Sequence, residues 1–249
     1  DIPACYGDWF MNCLDRGYVG YLNPFGNTKH MVSLKLENVA CFVFWSKNFE
    51  PFMDVLRRVK GAGYNCYIQF TITGLPRSFE PNVIGTAKAL ELFKEISGMF
   101  SPEQVHWRYD PIVISDKTND DYHLDTFSRI ASELEGYTHR CYFSYPTLYG
   151  KVERSIKKFQ EEENTKIFDT AEDQKIDLAN RLADVALSHG LTMNSCCGEY
   201  LVGEKIQKAR CVDGDLISNL FFNGDIKFRS NPTRKGCGCS HSYDIGAYD

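Results

Sequence analysis

The chain closes on two cysteines one residue apart, Cys237 and Cys239 in "GCGCSHS". Three more stand in ligand-like settings before them, Cys196 and Cys197 in "NSCCGEY" and Cys211 in "KARCVDGDL". Thiolates are preferred ligands of zinc and of iron–sulfur clusters, and a strand end, a loop and a returning tail together supply a four-cysteine site. The expected metal set is Cys197, Cys211, Cys237 and Cys239, with Cys196 turned away because neighbours on a strand face opposite sides. A Cys211–Cys237 disulfide, or free thiols, is the alternative. Cys5, Cys13, Cys41, Cys66 and Cys141 keep apolar company and read as reduced core residues.

A second set of reactive side chains stands where apolar runs end: "FWSKN", "FTITG", "WRYDP", "SYPTLY" and "NSCCGE". If these runs are parallel strands, their carboxyl ends share one face, and residues distant in sequence meet in one pocket. That nominates Lys47, Asp110 and Glu199 for catalysis and Trp45, Asn48, Gln69, Arg108 and Tyr145 for binding substrate or cofactor. Lys47 and Arg108 would supply fixed positive charge for a carboxylate or phosphate. Asp110 and Glu199 would accept protons or orient an amine, and Trp45 or Trp107 would stack on a flat ring. The competing reading makes Arg108 and Asp110 a structural pair bracing a loop.

The elements that must position these groups follow from periodicity. From about residue 40, short aromatic and β-branched runs alternate with longer segments of helical period, the pattern of βα units. Phe52, Val55, Leu56 and Val59 share one helical face, as do Leu90, Phe93 and Ile96, and then Leu124, Phe127, Ile130 and Leu134. "TAEDQKIDLANRLADVALSHG" opens on a Thr170/Asp173 capping pattern and stops at Gly190. Five strand candidates result. The predicted class is α/β, a TIM-like or partial (β/α) barrel of parallel strands over residues 1–195, with a cysteine-bearing, metal-binding extension over 196–249. The charged stretch "KVERSIKKFQEEENTK" reads as a solvated helix or a mobile loop.

Composition narrows the partners. A formal net charge of -5 argues against a general polyanion binder, since phosphate-backbone affinity needs clustered Lys and Arg. Apolar runs such as "ACFVFW" are far short of the roughly 20 residues that cross a bilayer. Ten cysteines in 249 residues do not form the dense framework of a small secreted domain, so a reducing cytoplasm is the expected setting. Neither a G-x-S-x-G elbow, nor a G-x-G-x-x-G turn, nor a P-loop occurs.

The segments "DIPACYGDWFMN", "FVFWSKN", "YIQFTITG", "WRYDPIVIS", "CVDGDLI" and "CGCSHSYDIGAYD" together resemble the bacterial family called domain of unknown function 1848, along nearly the whole chain. Members of that family resemble radical S-adenosylmethionine enzymes, with spore photoproduct lyase the usual comparison. The resemblance implies a [4Fe–4S] cluster, S-adenosylmethionine, an electron donor and a small-molecule substrate, with the catalytic cysteine triplet expected beyond residue 249. Cys197, Cys211, Cys237 and Cys239 would then hold an auxiliary cluster or a structural zinc. The alternatives are a zinc-stapled barrel with hydrolase or lyase chemistry and a non-catalytic nucleic-acid-binding module.

Overall fold

Six parallel strands in sequential order organise the computed structural model, which describes residues 1–22, 29–146 and 150–246. The strands are β3 (Phe42–Ser46), β4 (Cys66–Thr71), β5 (Val105–Tyr109), β6 (Arg140–Phe143), β7 (Thr192–Ser195) and β8 (Ile206–Lys208). An antiparallel pair, β1 (Tyr18–Leu22) with β2 (Lys29–Ser33), precedes them. The helices are α1 (Ile2–Cys5), α2 (Gly7–Arg16), α3 (Met53–Gly61), α4 (Thr86–Met99), α5 (Asp120–Leu134), α6 (Gly150–Glu163), α7 (Glu172–Ser188) and α8 (Gly214–Phe221). This is an α/β fold with an open parallel sheet flanked by helices. The TIM-like closure is not found: among the described residues the sheet has six parallel strands, and its last, β8, is three residues long. Closing a parallel barrel of that kind takes eight tilted strands in a fixed stagger.

The chain forms two compact units, one of Asp1–Phe70, Arg210–Thr233 and Gly238–Asp249, the other of Thr71–Ala209 and Arg234–Cys237. Residues 196–209 thus group with β5, β6 and β7.

Aromatic packing builds the first unit. Phe10 of α2 meets Phe42 and Phe44 of β3 edge-on at 5.4 and 5.5 Å, and Phe44 meets Phe52 at 5.0 Å. Such edge-to-face pairs contribute beyond the area they bury. The expected stripe of α3 is buried at Val55, Leu56 and Val59. Gly17 ends α2 in the left-handed region, φ 77°, where its N–H reaches the Leu14 carbonyl. Cys5, expected in the core, is exposed at the end of the short helix α1.

In this unit the "CVDGD" and "GCS" segments clamp each other. Ser240 N–H donates to the Val212 carbonyl at 2.8 Å, Gly214 N–H to Ser240 Oγ at 3.0 Å, and Val212 N–H to Cys239 Sγ at 3.4 Å. Gly214 is required there, because a Cβ would stand 2.5 Å from Ser240 Oγ and 2.6 Å from Phe228 Cβ. Asp213 caps α8 through Leu216 N–H.

The second unit packs one face of its strands on helices. Trp107 and Tyr109 of β5 meet Phe127 of α5 at 4.6 and 5.1 Å. Asn119 caps α5 through Tyr122 N–H, and Asp120 and Asp121 complement its N-terminus. Helix α7 begins one residue later than expected. Ala171 is its N-cap with no side-chain bond, so Thr170 lies outside the helix and the expected capping pattern does not form. Gly190, at φ 70°, does end it, with Leu191 N–H returning to the Ala186 carbonyl. The charged stretch is helix α6, with Phe159 against Phe79.

Candidate functional site

The carboxyl ends of β5 and β6 carry a buried ionic cluster. Side chains alternate along strands, so Arg108 of β5, Tyr142 of β6 and Asn194 of β7, aligned in register, share one face. Asp110 and Ser144, each two residues further on, continue it. Arg108 donates to Asp110 Oδ2 and Ser144 Oγ donates to Asp110 Oδ1, so the carboxylate is gripped from both strands. Arg108 also lies over the Tyr142 ring, 5.7 Å from its centroid. The guanidinium side chain is 2% exposed and that of Asp110 18%, so the pair has one dry end and one wet end.

His106, on the same face of β5, stacks on Tyr142 at 5.4 Å, and its Nε2 donates to the Glu103 carbonyl at 3.0 Å. Burial first, then the charge of Arg140, lowers its pKa to about 3, so it is a neutral packing residue. On the opposite face, His123 receives Tyr109 OH on Nδ1 at 2.8 Å and donates from Nε2 to the Val113 carbonyl at 2.9 Å. Both histidines are thereby accounted for as structural.

A cleft opens beside the cluster, lined by the residues that follow the two strands, among them Ile112, Ile114, Tyr145 and Pro146, and by Phe168 and Lys175. Tyr145 OH donates to the Lys175 carbonyl at 3.0 Å, and burial raises its pKa. Lys175 Nζ pairs with Asp169 at 2.7 Å and sits 5.8 Å from the centre of the Tyr145 ring.

Of the residues singled out by sequence, Arg108, Asp110 and Tyr145 fall in this region. The others have different settings. Gln69 is fully buried in the first unit, where Nε2 donates to the Cys211 carbonyl at 3.1 Å beside a second bond from Tyr67 OH. Asn48 shapes a turn there, its Oδ1 receiving Glu50 N–H at 3.0 Å and its own N–H donating to Ser46 Oγ at 3.0 Å. Trp45 is 44% exposed and Lys47 half-buried at the end of β3. Trp107 is core, with Nε1 donating to the Ile72 carbonyl. Glu199 lies on the surface of the second unit, and its pKa is lowered by the bond from Lys208 at 2.9 Å. From the "SYPTLY" strand end, residues 147–149 lie outside the described residues, as do 247–249 of the tail. Ser144 and Asn194 were missed. Alternation outward from Tyr142 was the available signal for Ser144.

The four cysteines expected to hold a metal are divided between the two units. Cys197 and Cys237 belong to the second unit, Cys211 and Cys239 to the first, and all ten cysteines are unbridged. Among the described residues no group of three or more His, Cys, Asp or Glu is placed to hold a metal ion. Cys196 does not turn away from Cys197: the two sulfurs are 3.9 Å apart, because Cys197 has left the strand conformation at φ 61°. Arg234 donates from Nε to Cys197 Sγ at 2.9 Å and from Nη2 to Cys196 Sγ at 3.5 Å. Burial and the neighbouring Cys196 raise the Cys197 pKa, and Arg234 offsets part of this.

Fold and site together define an α/β protein with a buried ionic cluster at the carboxyl ends of parallel strands. The chain belongs to the family described as domain of unknown function (DUF1848), whose model matches residues 1–249. No curated protein matches it. No helix among the described residues is long and apolar enough to cross a membrane.

Proposed function

We propose that the chain is an enzyme whose small-molecule substrate binds at the carboxyl ends of β5 and β6, where Asp110 accepts a hydrogen bond or a proton from a substrate hydroxyl or amine. The observation that carries this is the asymmetry of the ion pair: a dry guanidinium holding a carboxylate that still reaches solvent. Burying an arginine in an ion pair is costly and weak evidence for stability alone. Here it fixes the carboxylate in one orientation, with Ser144 fixing its other oxygen, which is the pre-organisation a proton acceptor or substrate anchor needs. The small hollow lined by Ile112, Ile114, Tyr145 and the Lys175–Asp169 pair follows directly on the two strands, and Asp110 is the solvent-reaching end of the cluster next to it in the chain. Ligands of open α/β sheets gather at this end of the strands.

The test is a thermal-shift screen of the reduced protein against hydroxylated and amino metabolites, repeated on Tyr145→Phe and on the double variant Arg108→Met/Asp110→Asn. The double variant removes the buried charge together with its partner, so the fold is retained. A ligand whose stabilisation is lost in the double variant supports the reading. Hits that persist there unchanged would sink it.

A second reading, radical S-adenosylmethionine chemistry with an electron donor, rests on the family resemblance. Sequential parallel strands with one helix-packed face and one polar face are in keeping with a partial (β/α) barrel, and this favours it. When bound, such a cluster would supply an electron to split the cofactor. Anaerobic purification followed by iron, zinc and sulfide analysis decides: iron with sulfide supports radical chemistry, zinc without sulfide the stapled hydrolase or lyase alternative.

A further inference from the structure

Adjacent cysteines in a strand hold their thiols on opposite faces. At the end of β7 this rule is broken. Cys196 N–H still donates to the Phe143 carbonyl at 2.8 Å, continuing the ladder, but Cys197 takes φ 61°. For a residue other than glycine that conformation costs roughly 1–2 kcal/mol, and such strain is a pointer to function when something is gained from it. What is gained here is the approach of the two sulfurs to 3.9 Å on one side. Arg234 spans both with one guanidinium, and Gly236, at φ 79°, lies so close that a Cβ there would meet the Cys197 carbonyl oxygen at 3.2 Å. Both cysteines are half-buried, within reach of small reagents.

We propose that Cys196 and Cys197 form a redox-active vicinal dithiol, oxidised by low-molecular-weight disulfides to a bond between the two neighbouring sulfurs. One sulfur, as thiolate, attacks the reagent's S–S bond, forms a mixed disulfide and releases one thiol. The second sulfur then loses its proton, attacks the protein-side sulfur and releases the other thiol. One reagent disulfide is reduced to two thiols while the protein pair loses two hydrogens, so atoms and electrons balance. Adjacent Cα atoms are about 3.8 Å apart, below the roughly 4.4 Å at which ordinary disulfides begin. The bridge is therefore strained and readily reduced, as regulatory or catalytic disulfides are and structural ones are not. Oxidation also shifts both sulfurs and leaves them weaker acceptors for Arg234, so the bridge loosens the turn formed by residues 234–237. The inference does not depend on the substrate reading above, and its test reads mass rather than activity.

Reduced full-length protein is incubated with oxidised glutathione, the remaining thiols are alkylated, and the peptide containing residues 196–197 is weighed. The expected product is a peptide two hydrogens lighter and unalkylated at both sulfurs, restored by dithiothreitol. Cys196→Ser should stop at the mixed disulfide with glutathione on Cys197. Arg234→Gln should close the bridge roughly tenfold more slowly, because the fork that gathers both sulfurs is gone. Full alkylation of both thiols after oxidation, a bridge from either sulfur to Cys237, or thiols shielded in the purified protein until a chelator is added would each overturn the proposal.

Discussion

Two arginines serve strand ends in the same unit, and their surroundings make them opposites. Arg108 rises from within β5, is dry, and donates to the Asp110 carboxylate. Arg234 comes from the returning tail, is largely solvated, and rests on two sulfurs. In the first case the ion pair is a fixed part of the core, where low polarisability magnifies each charge. In the second, water screens the contact, so the guanidinium acts on reactivity more than on stability. Side-chain type alone does not distinguish them.

The largest effect is expected where removal strands a buried charge. Asp110→Ala leaves Arg108 ionised without its carboxylate and should cost about 3–5 kcal/mol in denaturant unfolding. Arg108→Met leaves Asp110 near water, free to hydrate or protonate, and should cost about 1–3 kcal/mol. If the two single variants cost the same, the dry-end and wet-end description is wrong.

Next comes acid sensitivity. His106, through burial first and then the charge of Arg140, is neutral down to about pH 3 when folded, whereas the unfolded chain takes up that proton near an ordinary pKa of about 6.5. The stability it confers is complete above that value and falls as pH drops from there toward 3, because the unfolded state binds the proton first. His106→Phe should flatten the stability–pH curve in this window. An unchanged slope would show that other groups control acid unfolding.

For Arg234→Gln the expected loss is below about 1 kcal/mol, with a change confined to the chemistry of the two thiols. A loss as large as that of Arg108→Met would erase the contrast. The smallest effect belongs to Glu199→Gln, whose carboxylate is solvated and bonded to Lys208. Its melting midpoint and ligand response should match the unaltered protein.

Much of the framework was legible because burial writes a strong pattern. Strands β3 to β6 each read as an aromatic or β-branched run, and the faces of α3 and α5 followed a helical period. Strand β8 escaped notice since only Ile206 of its three residues is buried. Thr170 suggested a cap that the chain bypasses by one residue, a shift of the size local signals cannot resolve. Among candidate site residues, Arg108 and Asp110 were found because they stand where the apolar run of β5 ends, the end at which parallel strands converge. Gln69 looked equally available for a ligand, yet is taken up by the Cys211 carbonyl, a partner 142 residues away.

Periodicity and residue type were enough for the α/β class, the alternation of strands with helices, and the polar character of the strand ends, because both are local properties. Tertiary structure alone decided that the sheet stays open, that Asp110 is held by Ser144 as well as Arg108, and that Cys197 keeps company with Cys196 and Arg234. Those outcomes depend on which distant backbone groups and charges arrive first at each side chain, and on a single left-handed φ that no spacing in the sequence records.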